Sequence, residues 1–373
     1  MRLARPSNIL QLGIKELRSL YRDGALLLLI IYSFTLDVYS QATGTPEEPY
    51  RATIAVVDED RSPVSERIID AFQEPYFLRP EHITLAEMDK GMDEGFYTFT
   101  LSIPPDFQSD LLAGRQPAIQ LNIDATQMSQ AYTGAGHIQN IIASEIAEFL
   151  KRYRGETPTP VESVVRVLYN PNLMSTWFGA INAVINQITM LSIILTGATL
   201  IREREHGTIE HLLVMPVTPF EIMAAKVWSM GLVVLVAAAL SLRFIVQDWI
   251  RVPIQGSMLL FLGGAVLHLF ATTSMGIFFG TLARSMPQLG LLNVLVLMPL
   301  QVLSGGMSPR ESMPEFVQNI MLVAPTTHFI MLAQAILFRG AGVSTVWPQL
   351  LTLAVIGSLF FVGALSRLRK SLQ

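Results

Sequence analysis

The sequence predicts a polytopic α-helical membrane protein of six transmembrane helices, with an α/β extracytoplasmic domain inserted between the first and second spans. Three observations predict it. Of 373 residues, 51% are hydrophobic and only 15% charged, whereas about a quarter of the residues in a typical soluble domain are charged. Six apolar runs approach the ~20 residues needed to cross ~30 Å of hydrocarbon. The charge is also segregated: residues 41–171 hold 20 acidic and 10 basic side chains, net −10, and the remainder 10 acidic and 16 basic, net +6. An acidic soluble segment is therefore set into a basic membrane scaffold. Cysteine is absent, which removes disulfide frameworks and thiolate metal sites.

Residues 1–23 begin the scaffold. Ile9, Leu10, Leu12, Ile14, Leu17 and Leu20 interleave with Arg5, Lys15, Arg18 and Arg22 over Pro6 to Tyr21, the pattern of an amphipathic helix lying in the inner leaflet with its cations among headgroups. A cleaved signal peptide fits less well, because no small-residue cleavage site follows the next apolar run. Residues 24–42 form the first span, with Asp37 near its outer end. A carboxylate there faces the bundle, a water-filled path or the outer interface, since lipid exposure costs several kcal/mol.

Residues 43–171 read as the inserted domain. Strands are expected at 51–58, 82–85, 97–103 and 119–124. Helices are expected at 63–72, 86–94, 106–112 and 132–154. Alternation of strands and short helices implies one mixed sheet covered by helices. No catalytic set emerges: His82 and His137 are isolated, no glycine-rich phosphate loop exists, and Asp58-Glu59-Asp60 reads as a solvated turn rather than a divalent-cation site. No metal site is expected.

Residues 172–373 supply the other five spans. The second, about 173–200, carries Asn182, Asn186 and Gln187; Asn182 and Asn186 are four apart and share a helix face. Hydrogen bonding between helices is the favoured role for these amides, ahead of substrate contact. The third span covers about 219–246, with Lys226 expected to snorkel to the surface. The fourth ends near residues 282–285 and the fifth runs from 289 to 303. Breakers then crowd residues 304–329: Gly305, Gly306, Pro309, Pro314 and Pro325 deny a continuous helix, and the apolar run 316–323 is too short to span. A re-entrant outer hairpin of two short helices fits. His328 at its mouth is either a titrating group or, more in keeping with its setting, a hydrogen-bonded structural histidine. The sixth span, about 346–365, stops at Arg367-Leu368-Arg369-Lys370. Basic residues at both ends, at Arg202 and Arg204, and at Arg284 put both termini in the cytoplasm and residues 43–171 outside.

One stretch between the second and third spans, residues 202–217, organises these elements. Arg202 to His206 alternates charge signs and ends the span, and that end is expected to lie in water. Thr208 is a candidate helix N-cap, Glu210 complements the helix dipole, and Leu212 and Leu213 lead to a stop at Pro216. Glu203-Arg204-Glu205, Gly207-Thr208, Glu210, Leu212-Leu213 and Pro216 together resemble the segment after the second span in permease subunits of the type-two ATP-binding-cassette exporters. The helix at 6–21 resembles their connecting helix, and the hairpin at 304–329 their outer re-entrant element. Residues 58–63 and 97–105 resemble the extracytoplasmic insert of the drug-efflux-like branch.

The resemblance implies a cytoplasmic coupling helix that seats in a separate ATPase subunit carrying ATP and Mg. It also implies a second permease copy or paralogue, an amphiphilic drug-like or lipid-like cargo, and a location in the inner membrane. The insert would shape the outer exit or dock a periplasmic adaptor protein; membrane lipid is the surrounding partner and no nucleic acid is expected. The chain has no Walker-type loop of its own, and its spans lack conspicuous paired carboxylates or basic residues of the kind a proton relay uses, so work is expected to arrive from another subunit. Two other classes remain open on the residues alone: a gradient-driven carrier or channel, and a membrane-anchored receptor whose outer domain does the binding.

Overall fold

A computed structural model describes residues 5–44, 51–124, 128–154, 174–205, 217–306, 310 and 313–371. The chain divides into two compact units, residues 1–43 with 167–373 and residues 44–166.

The larger unit is helical. An amphipathic helix α1 (Pro6–Tyr21) precedes six helices long and apolar enough to cross a membrane: Gly24–Thr43, Ser175–Glu205, Pro219–Trp249, Met258–Leu282, Met286–Leu303 and Val343–Lys370. The second span is the axis of this unit. Of its apolar stretch 83% is buried, against 22% for the fifth and sixth spans, so those two present most of their surface outward. Close approach to the fourth span depends on glycine. A Cβ on Gly276 would lie 2.5 Å from the Ile193 carbonyl oxygen, and one on Gly280 3.2 Å from that of Gly197. Small residues at such crossings let membrane helices gain contact where no hydrophobic drive exists.

Two spans are locally underwound into π-helix, Ser33–Asp37 in the first and Ser241–Trp249 in the third. The two stretches meet, the Ser241 hydroxyl donating to the Phe34 carbonyl at 2.6 Å. Between the fifth and sixth spans lie helices α6 (Glu315–Met321) and α7 (Pro325–Leu337), bent 90° to each other. Gly305 at φ +95° ends the fifth span in the left-handed conformation favoured after a helix C-cap. Pro314 caps α6 and Pro325 opens α7, positions where the missing N–H costs nothing. Pro309 lies outside the described residues.

The smaller unit contains a four-stranded sheet in the order β2-β1-β3-β4, built from β1 (Ile54–Asp58), β2 (Glu81–His82), β3 (Phe99–Ile103) and β4 (Gln120–Ile123). The first three are parallel and β4 is antiparallel to β3. Helices α2 (Pro63–Asp70) and α3 (Leu85–Asp93) make the crossovers, followed by α4 (Phe107–Leu112) and the long α5 (Met128–Arg154). The core joins Val56 and Leu101 of the sheet to Val64 and Ile68 of α2, with Phe72, Phe77 and Ile138. Each crossover helix starts on a reciprocal cap, Ser62 with Ser65 and Thr84 with Glu87, which satisfies two otherwise orphaned backbone donors.

Candidate functional site

The C-terminal end of the second span is a junction at which four consecutive charged side chains each reach a different helix. Arg202 pairs with Asp23, whose other carboxylate oxygen accepts the Leu26 amide at 3.1 Å and so caps the first span. Glu203 takes Lys15 of α1 at 3.0 Å and Lys226 of the third span at 2.8 Å. Arg204 donates to the Ala283 carbonyl at 2.9 Å, the C-cap of the fourth span. Glu205 accepts the Met286 amide at 3.1 Å at the start of the fifth. The one-turn spread of four adjacent residues aims them in four directions, and each finds a helix end where its charge complements a free backbone group or an opposite charge.

The middle of this junction is dry. Lys226 is 2% exposed and Glu16 and Glu203 are nearly as enclosed. Its ammonium bonds Glu16 at 3.0 Å as well as Glu203, and Lys15 lies 3.7 Å from the same Glu16 oxygen. Two lysines and two glutamates therefore compensate one another, the condition under which burial of charge is tolerated. This corrects two expectations. Lys226 does not snorkel, and the end of the second span is not simply in water at Glu203.

Further contacts secure α1 to the third span. Glu221 is 1% exposed. It accepts the Arg5 amide at 2.8 Å and the Asn8 side chain at 3.0 Å, while its second oxygen completes the cap with Thr218. Trp228 donates to the Ile9 carbonyl at 3.2 Å and its ring lies so close over Gly13 that a Cβ there would be 2.0 Å away. Of the anticipated coupling residues, Glu203, Arg204 and Glu205 thus meet at this junction, whereas Gly207, Thr208, Glu210, Leu212, Leu213 and Pro216 lie outside the described residues.

The intramembrane polar residues hold helices together. Gln187 donates to Asp37, which also accepts Gln41 at 2.8 Å. Asn182 donates to the Gly306 carbonyl at 2.7 Å, tying the second span to the segment after the fifth. Asn186 is half-buried and makes no side-chain hydrogen bond among the described residues. His328 shares a 2.8 Å hydrogen bond with the Leu322 carbonyl across the bend between α6 and α7. Sequence reasoning missed His268, a wholly buried imidazole of the fourth span. It stacks on Phe329 at 4.2 Å and 8° and its Nε2 meets the Thr189 hydroxyl at 2.8 Å. A histidine inside an otherwise apolar span was the available signal.

The comparisons with known proteins agree among themselves. The family model described as ABC-2 family transporter protein matches residues 24–366. The inner membrane transport permease YhhJ of Escherichia coli (strain K12) is 62% identical over 365 residues, 98% of both chains, and its Shigella flexneri counterpart is equally similar. The probable multidrug ABC transporter permease YbhR of Escherichia coli (strain K12) is 28% identical over 364 residues, 96% of this chain and 97% of that one.

Proposed function

The chain belongs to the ABC-2 transporter family, and from that premise we propose that it is the permease half of an ATP-driven exporter. It works as a dimer, with a second copy or a paralogue, on an amphiphilic drug-like or lipid-like substrate. A separate ATPase subunit binds ATP and Mg and does the hydrolysis. The permease names of its relatives and its six apolar helices make it a multi-pass inner-membrane transport permease; the word multidrug in the name of YbhR supports the cargo class.

The observation that carries the reading is the junction at Arg202–Glu205. These four residues immediately precede residues 206–217, the stretch assigned to the ATPase groove. A push delivered there reaches α1 and the first, third, fourth and fifth spans through one turn of helix, without passing through lipid. The basic residues at Arg284, Arg367, Arg369 and Lys370 support a cytoplasmic junction with both termini on the same side. On this orientation residues 43–171 lie outside and residues 304–329 close the outer end of the pathway, with Asp37, Asn182, Asn186, Gln187 and His328 along or near it. The outer unit shapes the exit or docks an adaptor.

Co-expression with the cognate ATPase tests the proposal. The pair should co-purify, and substrate should stimulate ATP hydrolysis in lipid. The Glu205→Ala, Glu210→Ala double variant should keep basal hydrolysis while losing that stimulation. A purified chain that moves substrate uphill without the ATPase would establish a gradient-driven carrier instead.

A further inference from the structure

The first and third spans diverge beneath α1 and leave an open cavity of about 490 Å³ between them. Its walls are almost wholly apolar: Leu27 and Phe34 on one side and Leu232 and Ala237 on the other, with Leu17 of α1 at one end. The two π-helical stretches explain why it exists here. Each inserts an extra residue into its turn and shifts the helix face. Phe34 and Ser241, which join the two stretches, both line the cavity.

On the third span the lining runs from Leu232 to Ile245, fourteen residues or roughly 20 Å. One leaflet contributes about half of the ~30 Å hydrocarbon thickness. The groove therefore has the depth of a single acyl chain, and its apolar walls offer water no partners.

The end beneath α1 has a different chemistry. Leu10, Ile14 and Tyr21 are exposed on α1 and share a stripe with Leu17, continuing the apolar wall onto the helix surface. Beside that stripe, Arg18 and Arg22 lie four residues apart, both exposed. Lys15 is taken by Glu203 and Arg202 by Asp23, but neither Arg18 nor Arg22 enters an ion pair among the described residues. The apolar slot thus ends at Leu17 of α1, next in sequence to Arg18 and little more than one helical turn from Arg22, two exposed guanidinium groups in no ion pair among the described residues.

We propose that this groove holds one acyl chain of an anionic membrane phospholipid, with its phosphate at Arg18 and Arg22. The bound lipid fills the gap that the two π-helical stretches open and fastens α1 to the first and third spans. The proposal rests on α1 lying at headgroup level in the inner leaflet, and not on the identity of the transported substrate.

Native mass spectrometry of the permease–ATPase complex, released from detergent containing equal phosphatidylglycerol and phosphatidylethanolamine, is the test. The unmodified complex should retain phosphatidylglycerol selectively. The Arg18→Gln, Arg22→Gln variant changes only exposed side chains and should lower that selectivity roughly twentyfold, at the strength expected of two cations near an anionic surface. Ala237→Phe fills the slot and should remove the bound lipid of either headgroup.

Retention of lipid unchanged in Ala237→Phe overturns the proposal, as does binding indifferent to headgroup in the unmodified complex. So does a change of oligomeric state in Ala237→Phe without loss of lipid, which would make the groove a contact between two copies. Failure of the ATPase to co-purify in the same experiment would count against the functional reading and leave the lipid result interpretable.

Discussion

The Lys226 ammonium is enclosed, and among the described residues its hydrogens meet Glu16 and Glu203. Replacing it with methionine keeps the volume but leaves two enclosed carboxylates facing one another. The expected loss is about 3–5 kcal/mol, the usual result of breaking one side of a buried ion cluster. Glu16→Gln should lose less, because Glu203 still neutralises the lysine and the amide still accepts its hydrogen bond. Thermal unfolding in detergent ranks the two; equal losses would mean the cluster is not the source.

Asp23 makes a pH prediction. The Leu26 amide donates to its carboxylate and, against the opposing cost of burial, Arg202 adds a hydrogen bond and charge, so its carboxyl is held below the ordinary range. A lowered carboxyl pKa contributes stability that is fully present above the unfolded value of about 3.9 and disappears as pH falls through the native one. Asp23→Asn keeps a competent N-cap and should lower stability above about pH 4 while removing this residue's share of the acid-side slope. The lone lysine a turn or two inside a span read as a snorkelling residue because its partners are remote in sequence, Glu16 by 210 positions. Hydropathy along the chain carries no trace of such a pairing.

At the level of elements, the crossing of the second and fourth spans is set by backbone approach. Gly276→Ala would drive a Cβ to 2.5 Å from the Ile193 carbonyl, and that oxygen cannot step aside as a side-chain tip could. The helices must separate, at about 1–3 kcal/mol for overpacking of this kind. Gly363→Ala meets nothing within 4 Å and should be neutral, which makes it the control in the same melting series.

The spans themselves were legible because about 20 apolar residues bounded by charge have few alternatives in a bilayer. The strands of the smaller unit were legible from short β-branched runs between Pro, Gly and Asp. Their ends were not: β1 begins at Ile54 rather than Arg51 because Arg51 adopts φ +49° and Ala52 bridges Phe77 instead. The π-helical turns left no mark either, since Ser33–Asp37 has ordinary helical composition and its extra residue is accommodated only against the third span. His268 escaped for a related reason. Its role is given by Thr189 and Phe329, on two other helices.

Across the helical unit, the charged junction binds some helices by buried charge and others by weaker contacts. Helix α1, the end of the second span and the start of the third share the ion cluster, the Glu221 contacts and the Trp228–Ile9 bond. Opening the ion cluster during transport would expose unpaired charge in a low-dielectric interior, at a cost of several kcal/mol per ion. In the ATP-driven cycle proposed above they should therefore shift as one body. The start of the fifth span meets the same turn through the Glu205–Met286 hydrogen bond, which is worth far less than a buried ion pair.

The chain has no cysteine, so paired cysteines can test this directly. A Gly13→Cys, Trp228→Cys pair joins α1 to the third span within the proposed body, and oxidising it should leave substrate-stimulated ATP hydrolysis within about twofold of the reduced protein. A Glu205→Cys, Met286→Cys pair joins the second span to the fifth across the proposed line of movement, and oxidising it should stop stimulation while basal hydrolysis continues. If the first bond stops the cycle, α1 slides on the third span and the ion cluster must open and close with each turnover. If neither does, the stroke does not pass through this junction.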